Sequence, residues 1–181
     1  MLIAVRAARL TDIPAITGIY AHAVREATAT FELDPPDIAE MNRRMEHLFN
    51  GGYPYIVAEQ NNELVGYAYA GPYHHRPAYR FTVEDSIYIA PAMHRRGVGR
   101  RLLAELITLS EARGYRQMIA VIGDSANTRS IGLHTTMGFR IAGKFESVGF
   151  KFGKWLDSVL MQRALGDGAT NSSPESSAGE S

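Results

Sequence analysis

The sequence predicts one mixed α/β domain, and three observations carry that expectation. Strand-like and helix-like apolar periodicities alternate over residues 1–165, turn and cap residues punctuate the changes, and no repeat or linker interrupts the run. The expected order is a strand, two helices, a meander of three strands, a helix, a strand, a helix and two closing strands.

Residues 2–7 read as the first strand. Thr11-Asp12-Ile13-Pro14 then offers an N-cap, an early acid and a first-turn proline for a helix reaching about Glu26. After Pro35-Pro36-Asp37 a second helix spans about Ile38 to Phe49. Two apolar runs, Tyr55 to Glu59 and Leu64 to Gly71, flank Gln60-Asn61-Asn62-Glu63 and form a hairpin pattern. Thr82 to Ala90 is another strand, stopped by Pro91. Val98, Leu102, Leu103, Leu106, Ile107 and Leu109 recur with helical spacing up to Ala112, and Gly114 sits where a C-cap belongs. Met118 to Ile122 has a buried-strand pattern, Thr128 to Met137 a short helix ended by Gly138, and Phe139 to Val148 and Trp155 to Arg163 two last strands.

Residues 166–181 read GDGATNSSPESSAGES, with no large apolar side chain to offset the entropy of ordering, and are expected to be a disordered polar tail. The 181 residues carry 19 Lys plus Arg against 19 Asp plus Glu; three of the acids lie in that tail, so residues 1–165 form a mildly basic body. This balance opposes a global attraction to nucleic acid or membrane, and any anion site must be local. Arg6 and Arg9 break the first apolar run well short of the roughly 18 residues a span needs, so a cytoplasmic protein is expected. With no cysteine there is no disulfide, no thiolate metal site and no cysteinyl intermediate.

Three segments can carry chemistry. In His94-Arg95-Arg96-Gly97-Val98-Gly99-Arg100-Arg101 a strand gives way to a helix through a glycine-containing turn. Glycines let backbone N–H groups approach a ligand, and the helix start adds positive dipole, so the turn suits a phosphate or pyrophosphate; the alternative is a solvated, arginine-rich first turn. The P-loop and dinucleotide spacings are both absent, which disfavours an ATP or NAD enzyme.

In the strand after His74-His75-Arg76, alternation puts Thr82, Glu84, Ser86 and Tyr88 on one face and Val83, Asp85, Ile87 and Ile89 on the other. A partly buried Glu84 would have a raised pKa and could take a proton from an amine; on an exposed edge it would be an ordinary carboxylate. His74 and Arg76 could hold an acidic substrate group, or stand in a solvated loop. A metal at His74, His75 and Glu84 is disfavoured because adjacent histidines do not converge on one ion. In the third segment Asn127 and Ser130 could bond an amide-bearing ligand, and His134, one turn on, could give a proton to a thiolate; a capped helix with a satisfied histidine is the alternative.

Together the segments resemble the GCN5-related N-acetyltransferase (GNAT) family, in its phosphinothricin acetyltransferase-like branch. The wider family is matched by the Gly-x-Gly turn and Asn-x-x-Ser-x-x-Leu-His-x-x-x-Gly-Phe at Asn127 to Phe139. The branch is matched by Ala27-Thr28-Ala29-Thr30-Phe31, Tyr69-Ala70-Gly71-Pro72, Arg76 to Tyr88, Val121-Ile122-Gly123 and Val148 to Asp157.

The resemblance implies a single GNAT-type domain with a mixed, mostly antiparallel central sheet flanked by helices. It implies acetyl-CoA as cosubstrate, no metal, and direct transfer to a small amino-acid-like substrate. Its pyrophosphate would lie at Arg95, Arg96, Gly97, Val98, Gly99 and Arg100, its pantetheine along Ile87, Tyr88 and Ile89, with Asn127 and Ser130 on the CoA arm. Glu84 would be the general base and His134 the acid for the departing thiolate. Phe31, His74, Arg76 and Tyr79 would hold the substrate, with an oxyanion-type contact from the backbone of Thr82 and Val83. The branch also implies a homodimer, with interface strands around Trp155 to Met161.

Two departures stand out: His94 replaces the Gln or Arg of the turn motif, and His74 replaces a lysine of the herbicide-resistance members. The substrates implied are phosphinothricin, arsinothricin and methionine sulfoximine or sulfone. The competing functions are acetylation of a protein N-terminus or lysine, and a non-catalytic acyl-CoA-binding module.

Overall fold

The computed structural model describes residues 2–168 and 170. Its elements are β1 (Ala4–Ala7), α1 (Ile13–Glu26), α2 (Ile38–Asn50), β2 (Tyr55–Gln60), β3 (Glu63–Pro72), β4 (Thr82–Ile89), α3 (Val98–Ala112), β5 (Gln117–Gly123), α4 (Thr128–Thr136), β6 (Arg140–Lys151) and β7 (Lys154–Ala164). The seven strands form one sheet in the order β1-β2-β3-β4-β5-β7-β6. Neighbours are antiparallel except β4 and β5, which run parallel and are joined by α3.

Alternation along the strands divides the core into two clusters. On one face Ile13, Ile16, Tyr20 and Val24 of α1 and Met41, Met45 and Leu48 of α2 cover Tyr55, Val57 and Tyr67. On the other, Val98, Leu102, Leu103 and Leu106 of α3 cover Ile56, Ala68, Val83, Met118 and Ala120. The tyrosines form a stacked wall across the first face, with ring centroids 5.0 Å apart for Tyr55 and Tyr69 and 5.3 Å for Tyr67 and Tyr88.

Local sequence explains most boundaries. Asp37 caps α2 by accepting from the Glu40 amide at 2.7 Å. Gln60 pairs with Glu63, so the β2–β3 turn has two residues; Asn61 and Asn62 take φ of 53° and 64°, as a type I′ turn demands.

Three boundaries differ from the sequence expectation. The N-cap expected from Thr11-Asp12-Ile13-Pro14 does not form: Thr11 lies inside a single 3-10 turn at Leu10–Asp12 that leads into α1, and the Asp12 carboxylate binds the Arg6 guanidinium and the Arg9 amide, each at 2.8 Å. The early acid Asp12 is held there by its charge-assisted bond to Arg6. The last hairpin is longer than expected because Phe152 and Gly153 alone turn the chain, at φ of 52° and 71°. Residues 166–168, assigned above to the tail, instead form a turn: the Gly168 amide donates to Leu165 O at 2.8 Å, and Arg116 Nε donates to Gly168 O. Apart from Thr170, the remainder of the expected tail lies outside the described residues.

Candidate active site

The site is set by where the parallel pair ends. β4 and β5 stay in register from Thr82↔Gln117 to Asp85↔Ala120 and then part. Beyond that point Ser86 to Ile89 pair only with β3, and Val121 to Gly123 only with β7. Along Ser86–Ile89 the fork leaves β4 with an edge unpaired with β5. A cavity of about 920 Å³ fills the fork, lined by Ile87, Tyr88 and Ile89 on one side and Val121, Ile122 and Gly123 on the other.

The same cavity reaches the start of α3, where Arg95, Gly97, Val98, Gly99 and Arg100 line it. Gly97 is the residue before the helix, at φ of 81°, a conformation that costs a side-chain-bearing residue free energy. A Cβ on Gly99 would lie 2.9 Å from Ile89 Cδ1 and 3.1 Å from Leu133 Cδ2, so its absence lets α3 seat tightly between β4 and α4. The first amides of α3 lack intrahelical acceptors and face the positive end of the helix dipole, an arrangement suited to phosphate. The His94 ring Nε2 donates back to Ile89 O at 3.2 Å, tying the turn to the open strand. Arg96 does not line this cavity.

Glu84 and Asp85 sit at the base of the fork on opposite faces of β4. Glu84 belongs to the tyrosine face. Its carboxyl is raised from 4.5 to about 7, first by burial and then by the negative charge of Asp85. A carboxylate of that affinity is a proton acceptor near neutral pH.

Asp85 belongs to the α3/α4 face and meets His134. Their Nε2···Oδ2 distance is 3.0 Å, and both side chains are almost fully buried. His134 Nδ1 donates to Ser130 O at 2.7 Å, since a carbonyl can only accept. Burial opposes the imidazolium, but the Asp85 bond and charge, with the Ser130 carbonyl, outweigh it and raise the His134 pKa. Ser130 Oγ also lies 3.4 Å from Nδ1, so serine, histidine and aspartate fall in a row. Because Nδ1 already carries a proton, the ring cannot deprotonate that hydroxyl, and the row is not a nucleophilic triad. Asn127 caps α4 by accepting from the Ser130 amide at 3.2 Å, and Asn127, Ser130, His134 and Asp85 all line the large cavity.

A strap from α1 closes one side of the fork. A Cβ on Gly123 would lie 2.3 Å from Thr28 O, and one on Gly149 would lie 2.5 Å from a Phe31 ring carbon. Residues 27–31 therefore press against β5 and β6 where only glycine leaves room. Lys151, almost fully buried, donates from Nζ to Ala27 O and Thr30 O, each at 2.8 Å. Thr28 Oγ1 donates to Asp124 Oδ2 at 3.2 Å, and Tyr20 and Thr30 share a bond at 3.0 Å. Thr28 and Ala29 line the cavity, whereas Phe31 does not; its ring packs over the two glycines.

His74, Arg76 and Tyr79 are brought together, but around a second cavity of about 470 Å³ at the end of α2, shared with His47, His75 and Arg80. Among the described residues no acidic side chain lines it. Thr82 and Val83 lie below the fork, paired with Gln117 and Met118 on one side, with Val83 also facing Pro72 on the other. Their backbone sits within the ladder, so the main-chain groups that open toward the fork begin at Ser86 instead.

Sequence reasoning missed Asp85 and Lys151. Asp85 was visible only as the strand neighbour of Glu84, and nothing local announced a histidine 49 residues away as its partner. Lys151 lay in the Val148 to Asp157 string, whose role depends on a strap contact 121 residues distant.

Residues 5–160 match the family model of the acetyltransferase (GNAT) domain. The chain is 56% identical over 166 residues to the phosphinothricin N-acetyltransferase of Alcaligenes faecalis, covering 92% of this chain and 84% of that protein. It is 39% identical to the L-methionine sulfoximine/L-methionine sulfone acetyltransferase of Pseudomonas aeruginosa, covering 91% and 96%. Among solved structures it resembles a GNAT superfamily phosphinothricin acetyltransferase from Sinorhizobium meliloti in complex with AcCoA, with a TM-score of 0.93, 44% identity, and 97% and 95% of the two chains covered. The forked sheet, the glycine turn and these likenesses lead to one conclusion: the chain belongs to the GNAT acetyltransferase family.

Proposed function

We infer that this protein is an acetyl-CoA-dependent N-acetyltransferase acting on the α-amino group of a small amino-acid analogue: phosphinothricin, methionine sulfoximine or sulfone, or arsinothricin. The observation that carries the reading is the fork itself, an open β4 edge that lines one cavity from Asp85, the strand neighbour of the half-buried Glu84, to the Arg95–Arg100 turn. The relatives' substrates support the amino-acid class.

The residues fit the cosubstrate. Arg95, Arg100 and the amides from Gly97 onward would hold the pyrophosphate, Ile87 to Ile89 would pair with the pantetheine amides as an added strand, and Asn127 and Ser130 would flank the arm. When bound, acetyl-CoA supplies an acetyl group activated as a thioester. Glu84 takes the proton from the substrate ammonium, directly or through one water, and frees the nitrogen lone pair for attack. The substrate's acidic end is assigned to Arg76 and His74, whose cavity carries cationic groups and no carboxylate.

The enzyme is proposed to be cytoplasmic and homodimeric, with neither nucleic acid nor membrane as partner. Ile141, Phe145, Val148, Phe150 and Trp155 expose a run of large apolar side chains on β6 and β7, Trp155 to 67%, which favours burial against a second copy.

The test is CoA release by purified protein supplied with acetyl-CoA and a panel of these four amino acids. Turnover of at least one is expected. Binding of acetyl-CoA with turnover of none would overturn the substrate class.

A further inference from the structure

We propose that Asp85 is a positioning residue for acetyl transfer, holding the His134 ring in one orientation as an imidazolium at the base of the fork. The inference rests on the function proposed above, and it assigns a task to a buried carboxylate that the reaction scheme does not otherwise use.

Geometry fixes the proton count. The Ser130 carbonyl obliges Nδ1 to carry hydrogen, and the contact at 3.0 Å between Nε2 and Asp85 Oδ2 requires one more proton between them. With that proton on nitrogen the ring is a cation facing a carboxylate, the arrangement that Asp85 stabilises by hydrogen bond and charge. Among the described residues Asp85 Oδ1 has no hydrogen-bond partner, although the side chain is buried and borders the cavity. A structural ion pair would be expected to satisfy both oxygens, so the orphaned one indicates a group built for the cavity rather than for the core.

The consequence concerns a free base and a charged ring that must coexist at one pH. As the amine nitrogen bonds to the carbonyl carbon, its proton goes to Glu84. When the carbon–sulfur bond breaks, the electron pair leaves on sulfur, which takes a proton from solvent in the open cavity; both His134 ring protons stay in their bonds to Ser130 O and Asp85 Oδ2, and the charged ring bordering the cavity stabilises the departing anion. Glu84 must start deprotonated, which requires a pH above about 7. An unassisted imidazole, with its ordinary value near about 6.5, would already have lost its proton there. Asp85 raises His134 and so keeps the ring charged while the base is free. It also raises Glu84, its neighbour on the strand, so one carboxylate sets both limits. The other groups at these two sites are neutral: the Tyr69 hydroxyl of β3 beside Glu84, and the Ser130 carbonyl and Phe139 ring, 5.0 Å away, beside His134.

Asp85→Asn keeps the shape and removes the charge. Its kcat/KM profile is expected to move as a whole to lower pH, both limbs together, by about one pH unit, with kcat lower by about tenfold or more. A purely structural role would lower activity without moving the limbs, and an unmoved bell would overturn the proposal. A second measurement needs neither variant nor substrate: in the wild-type protein, nitrogen NMR should show both His134 ring nitrogens protonated at about pH 7.5, above the ordinary histidine value. A neutral ring at that pH would overturn the proposal even if the variant failed to fold. Protonated nitrogens with no turnover of any panel substrate would instead count against the substrate class alone.

Discussion

Replacing Glu84 with glutamine should abolish turnover and make the protein more stable, by an amount that depends on pH. In the folded state the Glu84 carboxyl is raised from 4.5 to about 7, because burial against the tyrosine face and the nearby Asp85 charge both disfavour the anion. Between those two pH values the folded state holds more protons than the unfolded state, so stability falls as pH rises through this window. The cost is absent below about pH 4.5 and complete above about pH 7. At about 1.4 kcal/mol per tenfold change in proton affinity, the ceiling is about 3 kcal/mol, and partial access to water brings the expected gain to about 1–3 kcal/mol. For a chain of this size that corresponds to roughly 3–10 °C in Tm at pH 8. Urea unfolding of both proteins, at one protein concentration, at pH 4.5 and pH 8 would measure it. Equal differences at the two pH values, or turnover retained by Glu84→Gln, would refute the reasoning.

Two further outcomes follow from contacts outside the fork. Lys151→Met removes both bonds to Ala27 O and Thr30 O and leaves the carbonyls of the strap without a donor. It should cost about 2–4 kcal/mol and raise KM for acetyl-CoA; unaltered thermal unfolding would show that the strap is held by its glycine contacts alone. Trp155→Glu puts a charge at the centre of the exposed apolar strands, and light scattering should show a monomer; a variant of unchanged mass would place any dimer contact elsewhere.

The element order was readable because its signals are local. Asp37 before Ile38, two asparagines between alternating apolar runs and glycines at the ends of α3 and α4 each act within a few residues, and all fall where the structure puts a boundary. The exceptions show the limit of that reasoning. A 3-10 turn at Leu10–Asp12 takes the place of the cap expected before α1, and the β6–β7 turn places a phenylalanine at positive φ, which propensity does not anticipate.

Site residues divide in the same way. The Arg95–Arg100 turn and the alternation that separates Glu84 from Asp85 were visible in the chain. The placement of His74, Arg76 and Tyr79 around a separate cavity, and of Phe31 over Gly123 and Gly149, was not. These depend on the register of strands far apart in sequence.

By itself, then, the sequence determined which residues could do chemistry and which family they resemble, because residue type and short-range spacing are written along one chain. Only the tertiary structure decided how those groups behave. Parting of β4 from β5 after Asp85 opens the cavity, burial raises Glu84, and a carboxylate on one element meets a histidine on another. Proton affinity depends on what surrounds a group in space, and that is fixed only when the sheet and its helices close around it.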